Sequence, residues 1–149
     1  MRIAGRFRYD AAPEVVYALF THRDALLHAV VGLQSLEELG PDRWAASIRV
    51  GLGGFALRYE GTVAITHRDP PHGFKLQIAA ATDGGGAEVA ADLRFLPDGS
   101  GCVVAYDADF RFHGAQRLQP ALARGLVDFF LRGMKEHLER PRRNRKEHG

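Results

Sequence analysis

Residues 44–65 read WAASIRVGLGGFALRYEGTVAI, and their spacing decides the fold. Trp44, Ala46, Ile48, Val50 and Leu52 take alternate positions against Arg43, Ser47 and Arg49. After the glycine cluster of residues 51–54 the alternation resumes, with Phe55, Leu57, Tyr59, Gly61, Val63 and Ile65 set against Arg58, Glu60 and Thr62. A period of two with one apolar face marks a half-buried strand, and glycines between two such runs make a hairpin.

Downstream the pattern repeats. Asp69-Pro-Pro-His-Gly73 is a hard stop, after which Phe74, Leu76, Ile78 and Ala80 form a strand that turns at residues 83–86. Residues 87–95 (AEVAADLRF) support two readings. Their alanines favour a helix, whereas apolar residues at alternate positions after a glycine turn favour a strand, the reading adopted. Pro97-Asp98-Gly99 then leads into a last strand with Cys102, Val104, Tyr106, Ala108, Phe110 and Phe112 on one side.

Upstream, residues 33–39 form a short strand ending in Gly40-Pro41-Asp42, and Ile3, Gly5, Phe7 and Tyr9 form the first strand. Between them lie two short helices. One starts near Pro13 with Asp10 as its cap; the other covers residues 24–30, capped by Asp24 and closed by Gly32. The chain ends in a helix from about Ala115 to Leu138, with an apolar stripe of Leu118, Leu122, Leu126, Phe129 or Phe130, Met134 and Leu138. The expectation is an α+β fold: a seven-stranded curved antiparallel sheet, two short helices, and the long helix lying on the concave face.

Length and charge agree with one domain over residues 1–138, followed by a basic tail, 139–149, expected to be disordered. The 149 residues are 46% hydrophobic and 26% charged, with a net charge of +2. Five cations against two acids give the tail +3, so the body is close to −1. A near-neutral body argues against nucleic acid as a partner. The tail reads either as a peripheral contact with anionic lipid or an acidic protein surface, or as a solvated end. Only Cys102 is present, so no intramolecular disulfide forms, and no run approaches a membrane span. The expected location is the cytoplasm, at most peripheral to the inner face of the membrane.

Catalytic and metal motifs are missing from the pattern. His22 and His28 are six apart, His67 and His72 flank a turn, and His113 ends a strand, none at metal-ligand spacing. Cys102 reads as core, Glu37-Glu38 as solvated, and the glycine turns lack the lysine of a phosphate loop. Arg49, Arg58 and Asp107 point outward by alternation. On the inner face, large residues alternate with Gly61, Ala80, Ala87, Ala91 and Ala108, which fill little volume. Either space is left for an apolar ligand, or the face simply packs.

Four stretches carry a family resemblance: residues 50–63 (VGLGGFALRYEGTV), 69–76 (DPPHGFKL), 96–101 (LPDGSG) running into 106–109 (YDAD), and Gly5 through 12–16 (APEVV). They resemble the helix-grip superfamily of START-like and Bet v 1-like (SRPBCC) proteins, and more narrowly the carbon monoxide dehydrogenase CoxG family. Where that family has an Ile-Pro-Gly-Cys-like segment, this chain reads Val30-Val-Gly-Leu33. The resemblance implies a hydrophobic cavity between helix and sheet. It also implies an accessory role toward a molybdenum-containing dehydrogenase, in maturation or membrane recruitment, with a quinone or other lipid bound.

The expected function is therefore non-enzymatic binding of an apolar or lipid-like molecule, with no cofactor. Phe55, Tyr59, Phe74, Tyr106, Phe110 and Phe129 are the expected lining, with Val31 and Leu33 near the entrance. The rivals are an enzyme of the polyketide cyclase or aromatase type, with Tyr59, Tyr106 or His113 pointing in together, and a protein-interaction module whose core is packed.

Overall fold

The structure is a computed structural model. It describes the backbone of residues 1–30, 32–52, 55–114 and 120–148, and their side chains except those of 50–52, 55–57, 120–122 and 140–148. The elements run β1 (Arg2–Tyr9), α1 (Pro13–Phe20), α2 (Arg23–Ala29), β2 (Leu33–Gly40), β3 (Arg43–Leu52), β4 (Phe55–Asp69), β5 (Gly73–Thr82), β6 (Gly85–Asp98), β7 (Gly101–Gly114) and α3 (Pro120–His148).

All seven strands form one antiparallel sheet in the order β1-β7-β6-β5-β4-β3-β2. Strands β2 to β7 meander through hairpins, while α1 and α2 carry the chain from one sheet edge to the other. The alanine-rich segment 87–95 is a strand, inside β6. Alanine's helix preference is below about 1 kcal/mol per residue. It yields to backbone ladders that run the length of β6 on both of its edges.

Two helix caps differ from expectation. Ala12 occupies the α1 N-cap without a side-chain hydrogen bond, because Asp10 pairs with Arg8 instead. His22 occupies the α2 N-cap, and Asp24 sits in the first turn, where its charge complements the helix dipole. Gly32 closes α2 as expected: its φ is +78°, and a side chain there would run into the Arg49 carbonyl.

The C-terminal helix also differs. Its described part runs from Pro120 to His148, past the expected boundary at Leu138, where the apolar stripe ends; the expected start near Ala115 lies outside the described residues. Arg, Lys and Glu are good helix formers in their own right. Leu118 and the side chain of Leu122, two members of that stripe, lie outside the described residues.

Helix α3 packs from Ala123 to Leu138 and is clamped most closely near Gly133. Gly133 sits against Ala29 of α2, so closely that a methyl on Gly133 would stand 3.0 Å from the Ala29 Cα. Two residues before Gly133 the Tyr9 hydroxyl donates to the Leu131 carbonyl at 2.8 Å. Around this clamp lies the core: Tyr9, Val16, Phe20, Phe95, Cys102, Val104, Leu131 and Met134 are almost wholly buried. The rings of Tyr9 and Phe20, Phe20 and Phe95, and Tyr17 and Phe95 meet edge-on at 5.2–5.6 Å, an arrangement worth about 1 kcal/mol per pair beyond burial.

Candidate functional site on the concave face

Antiparallel register lines side chains up in rows across the concave face, since directly paired residues point the same way. One row at the α1 end reads Phe7, Val104, Phe95; the next reads Gly5, Tyr106, Leu93, Phe74. Moving toward the other end of the strands, a later row reads Phe110, Val89, Ile78, Val63, Trp44. Beyond it comes Phe112, Ala87, Ala80, Gly61, Ala46, Leu36, flanked on its far side by Tyr59 and Ile48.

Burial falls along these rows. Phe95, Val104, Phe74 and Leu93 are at most 6% exposed. Leu76, Ile78 and Ala80 on β5, Val89 and Ala87 on β6, and Phe110 and Phe112 on β7 are only half-buried. The face is solid beneath α1 and incompletely covered toward Gly114.

The row of Ala46, Gly61, Ala80 and Ala87 sets four small residues side by side on four adjacent strands. Three strand spacings make it about 14 Å long. Larger residues border it, Trp44, Val63, Ile78 and Val89 on one side and Tyr59 and Ile48 on the other. The stacked rings of Phe110 and Phe112, 6.3 Å apart, stand at its β7 end.

The expected lining residues fall in different places. Tyr59, Tyr106 and Phe110 are half-buried on the concave face, and Leu33 is half-buried at the start of β2 beside Ile48. Phe74 is in the solid part, its ring against Tyr17 and Phe95. Phe129 is 55% exposed. Its neighbour Phe130 turns inward onto Phe20 instead, because the Gly133 and Leu131 attachments fix the rotation of α3. Val31 and the side chain of Phe55 lie outside the described residues. Gly61, Ala80 and Ala87 are legible in the sequence as small positions; Ala46 and their alignment follow only from register.

Among the described residues Tyr59, Tyr106 and His113 do not converge. His113 projects from the convex face, 3.6 Å from the Glu88 carboxylate. Tyr59 and Tyr106 stand about eight residues apart along the strands, roughly 26 Å. Tyr106 lies over Gly5, where a methyl would meet its Oη at 2.5 Å and its Cζ at 2.9 Å. Burial raises the Tyr106 pKa, Asp128 of α3 raises it further, and Arg124 acts in the opposite sense. The phenol therefore stays protonated through the neutral range, and it makes no hydrogen bond among the described residues.

Elsewhere, Arg58 and Glu60 line an open polar depression of about 530 Å³ on the convex side of β2–β4. The rings of His22 and His28 flank His137 of α3 at 6.4 and 5.5 Å. Among the described residues no group of three His, Cys, Asp or Glu is placed to hold a metal ion. No helix among them is long and apolar enough to cross a membrane.

The architecture is shared with several solved structures. A conserved protein from Geobacillus kaustophilus superposes with a TM-score of 0.85 at 19% identity, over 93% of this chain and 95% of that one. Ara h 8.0201 does so at 0.67 and 10%, over 93% and 97%. The Zhui aromatase/cyclase from Streptomyces sp. R1128 gives 0.64 and 14%, over 94% of each chain. At these identities the likeness establishes the fold alone. No curated protein matches the sequence. The family model for the carbon monoxide dehydrogenase G subunit (CoxG) matches residues 5–138, nine-tenths of the chain. The chain belongs to the carbon monoxide dehydrogenase CoxG family.

Proposed function

We propose that the protein binds an apolar or lipid-like small molecule, quinones included, on the concave face beneath α3, and that it does so without catalysing a reaction. The observation that carries this reading is the row of small residues Ala46, Gly61, Ala80 and Ala87, half-covered at Ala80 and Ala87, which we read as a groove in the apolar face. Apolar concavities with few polar groups favour ligands of this kind. Tyr59 and Phe110 border the groove, Tyr106 lies further along the same face, and Phe74 forms its packed floor. Leu33 belongs to the entrance side, and Phe129 to the outer rim of the helix; Val31, expected at the entrance, and the side chain of Phe55, expected in the lining, lie outside the described residues.

Family membership supports an accessory role toward a carbon monoxide dehydrogenase or a related molybdenum-containing enzyme. In this reading residues 1–138 carry the ligand. The basic residues of 139–149 add peripheral attraction to anionic membrane or protein surfaces, about 1 kcal/mol for each cation. A cyclase-type activity on the same fold calls for polar side chains directed together into the cavity, and the separation of Tyr59, Tyr106 and His113 weighs against it.

Native mass spectrometry of the purified protein, followed by denaturing extraction, tests the reading. A quinone or lipid recovered at near one per chain is the expected result. A bare mass, with no thermal shift on adding quinones or fatty acids, overturns it and favours a protein-docking role.

A further inference from the structure

Tyr106 is the one hydroxyl-bearing side chain in the inner rows between Phe7 and Phe112. Its immediate neighbours on that face are apolar: Leu93 beside it, and Ala108 and Ala91 in the next row. Gly5 supplies the space its phenol occupies, since any larger residue would displace the Oη. Two charged residues of α3, Asp128 and Arg124, act on the hydroxyl, Asp128 the more strongly. The hydroxyl is half-buried and makes no hydrogen bond among the described residues, so its donor is available to a ligand.

We propose that the Tyr106 hydroxyl is the polar anchor of the bound molecule, donating a hydrogen bond to a neutral oxygen acceptor such as a ketone or quinone carbonyl. The same position disfavours a carboxylate. Two features produce the selectivity. A protonated phenol donates to a carbonyl oxygen. A second anion brought near the exposed Asp128 carboxylate is repelled by it. From Tyr106 to the small-residue row is six residues along β7, about 20 Å. The matching ligand is elongated, with its oxygen at Tyr106 and its hydrocarbon part running toward Ala87 and Ala80. This inference rests on the ligand-binding reading above.

A matched series of probes separates the two. The full-length protein is titrated with 2-tridecanone, tridecane and dodecanoate, using calorimetry for affinity and native mass spectrometry for stoichiometry. The wild type is expected to prefer the ketone to both others. Tyr106→Phe, which retains the ring and the packing, lowers ketone affinity about three- to tenfold, the range of one hydrogen bond, and leaves tridecane unchanged. Gly5→Ala pushes the phenol aside and reduces the ketone preference in the same direction. Asp128→Asn raises dodecanoate affinity and spares the ketone. If tridecane binds but the ketone gains nothing over it, or Tyr106→Phe leaves their ratio intact, or dodecanoate equals the ketone, the anchor is refuted while the cavity stands. If tridecane also fails to bind, the cavity reading falls and the anchor with it.

Discussion

Replacing Ala80 by leucine distinguishes an open groove from a filled one by the sign of its effect. Ala80 points into the small-residue row between Gly61 and Ala87 and is half-buried there. Leucine adds three carbons. Full burial of each is worth about 0.8 kcal/mol, so a half-covered position yields roughly 1 kcal/mol of added stability. Were the row already filled from above, the same carbons would overpack it and destabilise by about 1–3 kcal/mol. For a domain of this size the two outcomes differ by several degrees in Tm, at about 2–4 °C per kcal/mol. Leucine also changes strand preference, so Ala79→Leu, on the exposed convex face one residue away, is the control. Urea unfolding of both variants, followed by the Trp44 fluorescence, gives the comparison. We expect Ala80→Leu to be at least as stable as Ala79→Leu and to lose ligand. An Ala80 variant more than about 1 kcal/mol weaker than its control would mean the row is filled, and the reasoning that makes it a groove fails.

Four further outcomes follow from the same geometry. Phe130→Ala is expected to destabilise by about 2 kcal/mol or more in urea unfolding, through its lost packing on Phe20, whereas Phe129→Ala stays within about 0.5 kcal/mol. Burial raises the Tyr9 pKa above the ordinary value of 10.0. Its contribution is therefore intact below pH 10 and declines as pH rises toward the raised value, by up to about 1.4 kcal/mol per unit. Tyr9→Phe should be about 1 kcal/mol less stable at neutral pH yet show a flatter alkaline limb, measured by unfolding at pH 8 to 11. Cys102 is fully buried and its thiol pKa is raised by that burial. A thiol-specific reagent should leave it unmodified in the native protein and react promptly once urea is added. Asp107 is held below the usual carboxylate range by its hydrogen bond from Arg2. It therefore contributes above the unfolded carboxyl pKa and loses that contribution as pH falls further. Asp107→Asn should make the acid limb of the stability curve slightly shallower in thermal melts between pH 5 and 3.

The fold is legible because one feature recurs. Period-two alternation from Trp44 to Phe112, punctuated by glycine and proline turns, admits only a meander of hairpins. The alanine-rich segment 87–95 needs its neighbours to become a strand, and the turn of residues 83–86 is the clue. What resists reading depends on contacts distant in sequence. A stripe containing both Phe129 and Phe130 does not say which turns inward, since adjacent helical residues point about 100° apart. That choice is made by Gly133 meeting Ala29 and by Tyr9 reaching Leu131, across 104 and 122 residues. Likewise Ala46, Gly61, Ala80 and Ala87 become one row only after three hairpins set their registers. His113 falls outside by the same parity that puts Phe112 inside. The α1 cap differs from its sequence signal because Asp10 has a stronger partner in Arg8 than a backbone amide.

The fall in burial along β5, β6 and β7 divides the protein's exposure to mutation. Changes around Phe95, Val104 and Met134 decide whether any folded molecule exists, and few alternatives survive there. Changes around Ala80, Ala87 and Val89 alter the shape of a space that folding does not depend on. Descendants of this chain can therefore drift in what they accommodate while inheriting the same scaffold intact. Such a partition lets a single architecture, at 10–19% identity, recur in the proteins it resembles.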